Sequence, residues 1–270
     1  MEPLRDMLKR KIEHFIHQHS SNPYKKYSIE SMLQILFRII ENYGTKEEEK
    51  QFIQRYLEFT SFRELFISKY VQEKNYHKVI ELALEGEKKD KEYKGLVSKW
   101  KKIRYTAYTE LSYKEEQQKL ARALLLEGNF EYFKDLKALA EEKKEDFYTS
   151  LKQELKRSKG WQARDMYLML IEEEHDFDEI MNVVRESPEN IEEYAEMLVP
   201  HFKDEVINIY QIYIISKASS SSNRKGYKRV CEILQRYKKI AGNQKQEEII
   251  NELHAVYNKR PAFVDELSKL

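Results

Sequence analysis

Apolar residues recur along most of this chain at alternating steps of three and four, the spacing that gathers side chains onto one face of a helix. From Tyr93 to Leu111 the stripe runs Tyr93, Leu96, Trp100, Ile103, Ala107 and Leu111, with charged residues between, and predicts one long amphipathic helix. Three positions fit the spacing in which a hydroxyl and a carboxylate satisfy each other's free backbone donors at a helix start: Thr45 with Glu48, Ser61 with Glu64, and Ser112 with Glu115. Pro188, Pro261 and Pro200 are each expected in a first helical turn, where a missing N–H costs nothing. The stretch Ile207 to Ile215 is rich in β-branched and aromatic residues. Yet Phe202, Val206, Ile209 and Tyr213 keep a helical stripe, and no neighbouring run offers a second strand, so a helix buried on most sides is expected. The serine run Ser219–Ser222 reads as a short turn between helices, with a flexible hinge as the alternative.

A motif recurs within this pattern. Asn75-Tyr76, Asn129-Phe130 and Asp176-Phe177 each open an aromatic run: Tyr76/Val79/Leu82, Phe130/Phe133/Leu136 and Phe177/Ile180/Val183. A fourth run, Tyr227/Val230/Ile233, follows Gly226, and the aromatic positions lie 54, 47 and 50 residues apart. A period of roughly 50 residues holds two to four helices, near the longer helical repeats, although so loose a pattern also recurs by chance in helical proteins. The expected fold is all-α: about fourteen to sixteen helices in antiparallel pairs, stacked as a right-handed α-solenoid of tetratricopeptide-like repeats. Residues 1–60 would supply its first, less regular helices, and residues 61–270 a helical-repeat region packed as one continuous domain.

Composition agrees with long solvated helices: 35% of residues are charged, with only seven glycines and five prolines in 270 residues. Lys and Arg total 48 against 47 acids, which argues against a generally nucleic-acid-binding or membrane-attracted surface. The charge is nevertheless uneven: residues 171–200 carry −10, residues 201–270 carry +5 and residues 1–170 carry +6. Charges through Met1–His19 interrupt any apolar signal core, and the apolar-rich stretch Val206–Ile215 is too short to cross a bilayer, so a cytoplasmic protein is expected. A single cysteine excludes an intramolecular disulfide and any zinc knuckle built on two or four cysteines.

Catalytic chemistry finds little purchase, and no enzyme, metal or cofactor is expected. The sequence lacks a nucleophile elbow, a phosphate-cradling glycine loop and a dinucleotide fingerprint. Cys231 sits inside an apolar helical pattern, where a thiol is usually buried filler. His14, His17 and His19 lack the spacing of a metalloprotease helix and read as a polar helix end. Glu172 and His175 form one Glu-x-x-His pair where a helical di-metal site needs two, and acid runs such as Glu192-Glu193 are usually solvated.

Binding surfaces are the better candidates. The basic cluster Arg224, Lys225, Lys228, Arg229, Arg236, Lys238 and Lys239, interleaved with Tyr227 and Tyr237, reads first as a solvated face. It also suits an acidic protein partner, the acidic segment of a neighbouring copy, or phosphates. Nineteen tyrosines and twelve phenylalanines are mostly explained by contacts between helix layers. Trp100, with Tyr105 and Tyr108 on the same helix, completes the candidate partner-binding set together with Arg224, Lys225, Lys228 and Arg229. The expected function is a non-enzymatic scaffold for a protein or peptide partner; the alternative is nucleic-acid association through the basic C-terminal third.

The segments Arg104-Tyr105-Thr106-Ala107-Tyr108, 124–132 (LLLEGNFEY), Leu198-Val199-Pro200-His201-Phe202, Ser222-Asn223-Arg224-Lys225 and the closing 260–270 (RPAFVDELSKL) carry a likeness. Over roughly residues 60–270 the chain resembles the helical C-terminal region of bacterial SWIM zinc-finger proteins. The resemblance implies a tetratricopeptide-like helical array. The zinc knuckle of that family lies upstream and needs clustered cysteines, so neither metal binding nor a nucleic-acid role tied to it carries over.

Overall fold

A computed structural model describes residues 2–19, 25–140 and 144–270, and among them the chain is helical with no strand. Fifteen helices follow one another among these residues. They are α1 (Glu2–His19), α2 (Lys26–Tyr43), α3 (Lys46–Arg55), α4 (Thr60–Gln72), α5 (Tyr76–Lys89), α6 (Lys94–Glu110), α7 (Lys114–Leu126) and α8 (Tyr132–Leu139), then α9 (Lys144–Arg157), α10 (Trp161–Glu173) and α11 (Phe177–Glu186). A 3₁₀ turn at Pro188–Asn190 leads to α12 (Ile191–Ser220), followed by α13 (Arg224–Ala241), α14 (Asn243–Tyr257) and α15 (Pro261–Leu267). Most helices pack on the next in sequence. The contacts divide the chain into two units, Met1–Phe147 and Tyr148–Leu270.

In the first unit, helices on both sides of residue 60 share one core. Leu33, Leu36 and Phe37 of α2 meet Phe52 and Ile53 of α3, Phe62 and Phe66 of α4, Val79 and Leu82 of α5 and Trp100 of α6. Phe37 and Phe62 meet edge to face at 5.9 Å, and each such buried side chain stabilises by about 1.5–3 kcal/mol. In the second unit Leu170, Ile171, Ile180, Val184, Leu198, Val206, Ile214, Val230, Leu234 and Phe263 are buried.

The recurring motif corresponds to a recurring corner. Lys74, Gly128 and His175 each adopt a left-handed backbone, with φ of 56°, 96° and 54°. Each N–H bonds the carbonyl three residues back, and the next N–H reaches five back: Asn75 to Tyr70 at 2.8 Å, Asn129 to Leu124 at 3.1 Å and Asp176 to Ile171 at 2.9 Å. These are Schellman endings, which satisfy the last carbonyls of one helix. Asn75 and Asp176 then cap the next helix, accepting from Lys78 N–H and Glu179 N–H. Asn129 differs: its amide donates back to the Leu124 carbonyl at 2.9 Å. The fourth run departs further, because Asn223 caps α13 and Tyr227 lies one turn inside it.

Other start signals divide by their partners. Thr45 and Glu48 form the full reciprocal cap of α3. Ser61 instead gives its N–H and hydroxyl to Glu30 of α2, at 3.0 and 2.5 Å. Ser112 is a fourth left-handed corner residue, φ 57°, rather than a cap. Pro188 and Pro261 occupy first turns as expected, but Pro200 lies inside α12, which breaks at Phe202 (φ −134°, ψ 40°). The ring removes one backbone bond and crowds the preceding turn. The bend is sharp: in a straight helix Glu192 and Tyr213 would stand about 30 Å apart, yet the Tyr213 hydroxyl donates to Glu192 at 2.5 Å. The stretch 207–215 is helical as expected, although Ile212 and Ile215 face water. Ser221 and Ser222 form the turn after α12, where Arg260 donates to the Ala218 and Ser221 carbonyls.

Candidate interaction surface

Helix α6 carries three of the sequence-predicted site residues, and each has a different environment. Trp100 is 0% exposed. Its indole N–H donates to Asp90 at 2.7 Å, and the Arg63 guanidinium lies 5.8 Å over its ring. A Cβ on Gly86 would stand 2.7 Å from the indole, so only glycine lets α5 approach this closely. Trp100 is therefore a core residue and offers no surface to a partner. Tyr105 is also buried, donating to Asp135 at 2.7 Å and accepting from Gln117 at 3.1 Å. Burial, then the bond to Asp135, pushes its phenol up to about 12. It ties α6 to α8. Tyr108 alone remains half-exposed, lining a cleft of about 290 Å³ with Lys101, Arg104, Lys119 and Leu120 between α6 and α7.

The other face of α6 forms a shallow, wide-open trough lined by Gly95, Ser98, Lys99, Lys102, Ile103 and Thr106, all from α6 itself. Two of its lysines reach acids outside α6. Lys99 pairs with Glu64 of α4 at 2.5 Å, and Lys102 pairs with Glu131 beside α8 at 2.9 Å. No atom lies within 4 Å of where a Gly95 Cβ would be, so the trough is open at that end. The spacing of Gly95, Ser98, Lys102 and Thr106 was the sequence signal for this face: small or polar residues on the side of α6 away from Trp100.

The basic cluster is largely occupied. Arg224 pairs with Asp265 and, at 3.1 Å, with Glu266. Arg229 reaches Glu192 at 3.2 Å, and Arg236 reaches the same carboxylate at 2.5 Å. The chain's own acids thus supply the counter-charge, Glu192 of the acidic segment for Arg229 and Arg236 and the closing helix for Arg224. Lys225 and Lys228 remain exposed. Several acids of that segment accept tyrosine hydroxyls instead of facing water: Asp176 from Tyr148, Glu179 from Tyr167 at 2.5 Å and Glu172 from Tyr194 at 2.5 Å. Burial, then these bonds, raises the phenols of Tyr148, Tyr167 and Tyr194. Burial pushes Asp176 upward, but hydrogen bonds from Lys152 and Tyr148 outweigh it and hold the carboxyl below its ordinary value. Glu179 is held low in the same way by Lys156 and Tyr167.

The remaining candidates are placed plainly. His14 bonds Gln18 at 2.8 Å, His17 is exposed, and the His19 side chain lies outside the described residues. Glu172 is engaged by Tyr194, while His175 occupies the left-handed corner with its ring against Phe177. Among the described residues no group of three or more His, Cys, Asp or Glu could hold a metal ion. Cys231 is buried; burial, then Glu266, pushes its thiol up to about 11, which disfavours the reactive thiolate. Among the described residues no helix is long and apolar enough to cross a membrane. Sequence reasoning passed over Trp161, the first residue of α10, which is 77% exposed. Its signal was position: a Trp directly after Gly160 at a helix start has no preceding turn to pack on. No protein-family model, curated protein or solved structure matches the chain.

Proposed function

We propose that this protein is a non-enzymatic scaffold that holds a peptide or protein segment in the α6 trough, within a right-handed solenoid of antiparallel helix pairs. The observation that carries the proposal is this open face of α6, whose Lys99 and Lys102 side chains already lie against Glu64 and Glu131 before any partner arrives. A helix face that keeps its shape binds without ordering itself first, which is where part of the cost of association otherwise falls. Bonds that join a helix to its second neighbour support the solenoid: Tyr105 of α6 to Asp135 of α8, Lys156 of α9 to Glu179 of α11, and Tyr194 of α12 to Glu172 of α10. Such ties suit hairpins stacked in register. Kinship with the SWIM-associated helical region and a cytoplasmic setting belong to the same proposal.

The test is selection of binding peptides from a display library against the full chain, followed by measurement on Ser98→Trp and Thr106→Trp. Both substitutions fill the trough from exposed or half-exposed positions, leaving the core alone. Loss of binding in both supports the trough; selected peptides that bind both variants as tightly as the unmodified chain refute it. The nucleic-acid alternative is weakened by the pairing of Arg224, Arg229 and Arg236 with carboxylates. It predicts steeply salt-dependent oligonucleotide binding that is lost in Lys225→Glu/Lys228→Glu.

A further inference from the structure

The second unit exposes two surfaces of opposite net charge among its described residues. One is the corner between α9 and α10, where Arg157, Lys159 and Arg164 are exposed around Trp161, with Asp165 the one acid among them. The other is the first arm of α12, whose outward face at steps of three and four presents Glu193, Glu196, Met197 and Pro200. Met197 is 40% exposed and Trp161 is 77% exposed, so each surface has a large apolar side chain in water, Met197 beside acids and Trp161 beside three bases and one acid. The helices that carry them are tied together by Tyr194 and Glu172.

We infer that these surfaces meet between two copies of the chain. The basic corner of one copy lies on the acidic arm of the other, and the reciprocal contact forms at the same time. Placing the patches on joined helices lets a two-fold axis satisfy both, the commonest symmetry of soluble assemblies. Charge complementarity selects the partner and register. Trp161 anchors each contact against Met197, a polarizable thioether suited to an aromatic ring. Both halves of the match belong to one sequence, which distinguishes a second copy from a foreign partner. The surfaces lie outside the α6 trough, so the inference does not depend on that site.

The experiment is sedimentation equilibrium of the full chain at low and high salt. It is repeated on Trp161→Ala, on Arg157→Glu/Lys159→Glu and on Glu193→Lys/Glu196→Lys, with far-UV circular dichroism to check folding. All these positions are exposed, so the variants keep the fold. Expected is a monomer–dimer equilibrium that weakens with salt, about tenfold or more weaker in Trp161→Ala, and lost in each charge reversal alone. Mixing the two reversal variants restores it, because the reversed corner then faces the reversed arm. A chain that stays monomeric at every concentration in low salt overturns the inference. So does a dimer that all three variants leave unchanged. A monomer whose Trp161 emission shifts on adding poly-glutamate assigns the corner to a foreign acidic partner and equally overturns it.

Discussion

Neutralising Asp90 isolates a fully buried charge of the first unit, that of Arg63. Arg63 is 0% exposed, with one hydrogen bond, from Nη2 to the Leu57 carbonyl at 2.6 Å. Its Nε and Nη1 have no hydrogen-bond partner, and Asp90, at 3.8 Å, is its counter-ion without a hydrogen bond. Asp90→Asn keeps an acceptor for the Trp100 indole but leaves the buried guanidinium with only the exposed Glu85 as an opposite charge, a situation that costs up to about 3–5 kcal/mol. That is a large part of a typical stability of about 5–15 kcal/mol. Arg63→Met removes the cation instead and strands the carboxylate, for a similar loss. The combination Arg63→Met/Asp90→Asn removes both charges, and replacing a buried ion pair by neutral groups of similar volume is often near neutral. The double variant is therefore expected to be more stable than either single one, which requires a coupling at least as large as one single-variant loss, about 3–5 kcal/mol. Urea unfolding followed by tryptophan emission reads this, since Trp100 is the buried reporter. Single-variant losses under about 1 kcal/mol, or losses that simply add, would refute the reasoning.

Other consequences are local. Gly86→Ala is expected to destabilise by about 1–3 kcal/mol in the same denaturation, because its methyl overlaps the Trp100 ring. Lys74→Gly and His175→Gly are expected to stabilise by about 0.5–1 kcal/mol each in thermal melts, since glycine relieves the left-handed penalty at φ of 56° and 54°. Asp176 and Glu179 titrate below their ordinary values in the folded state, so the stability they lend is complete above the ordinary carboxylate range and is lost as pH falls through the lowered one. Tyr148→Phe removes a donor to Asp176 and should move the acid-unfolding midpoint to higher pH; a shift to lower pH would contradict the hydrogen-bond assignment.

How much of this was legible in the sequence depends on how far each signal reaches along the chain. The α6 stripe, the Thr45 cap and the corners at Asn75 and Asp176 need only neighbours within a few residues, so their spacing is enough to find them. Ser61 and Ser112 carry the same short signal, but a carboxylate 31 residues away claims one and a left-handed turn the other. Pro200 reads like a helix start because the bend at Phe202 is enforced by contacts beyond it, among them Glu192 with Tyr213. The face of α6 occupied by Trp100 is a matter of where α5 lies, and Gly86 is what admits it. The acidic run and the basic cluster each look solvated alone; only the fold brings Glu192 to Arg229 and Arg236.

The most direct measurement for the α6 groove is hydrogen–deuterium exchange of the full chain with and without a display-selected peptide. Protection is expected to concentrate in residues 94–110 and in the flanking starts of α4 and α8. Protection confined to other segments, with α6 exchanging at its free rate, would contradict a binding groove there.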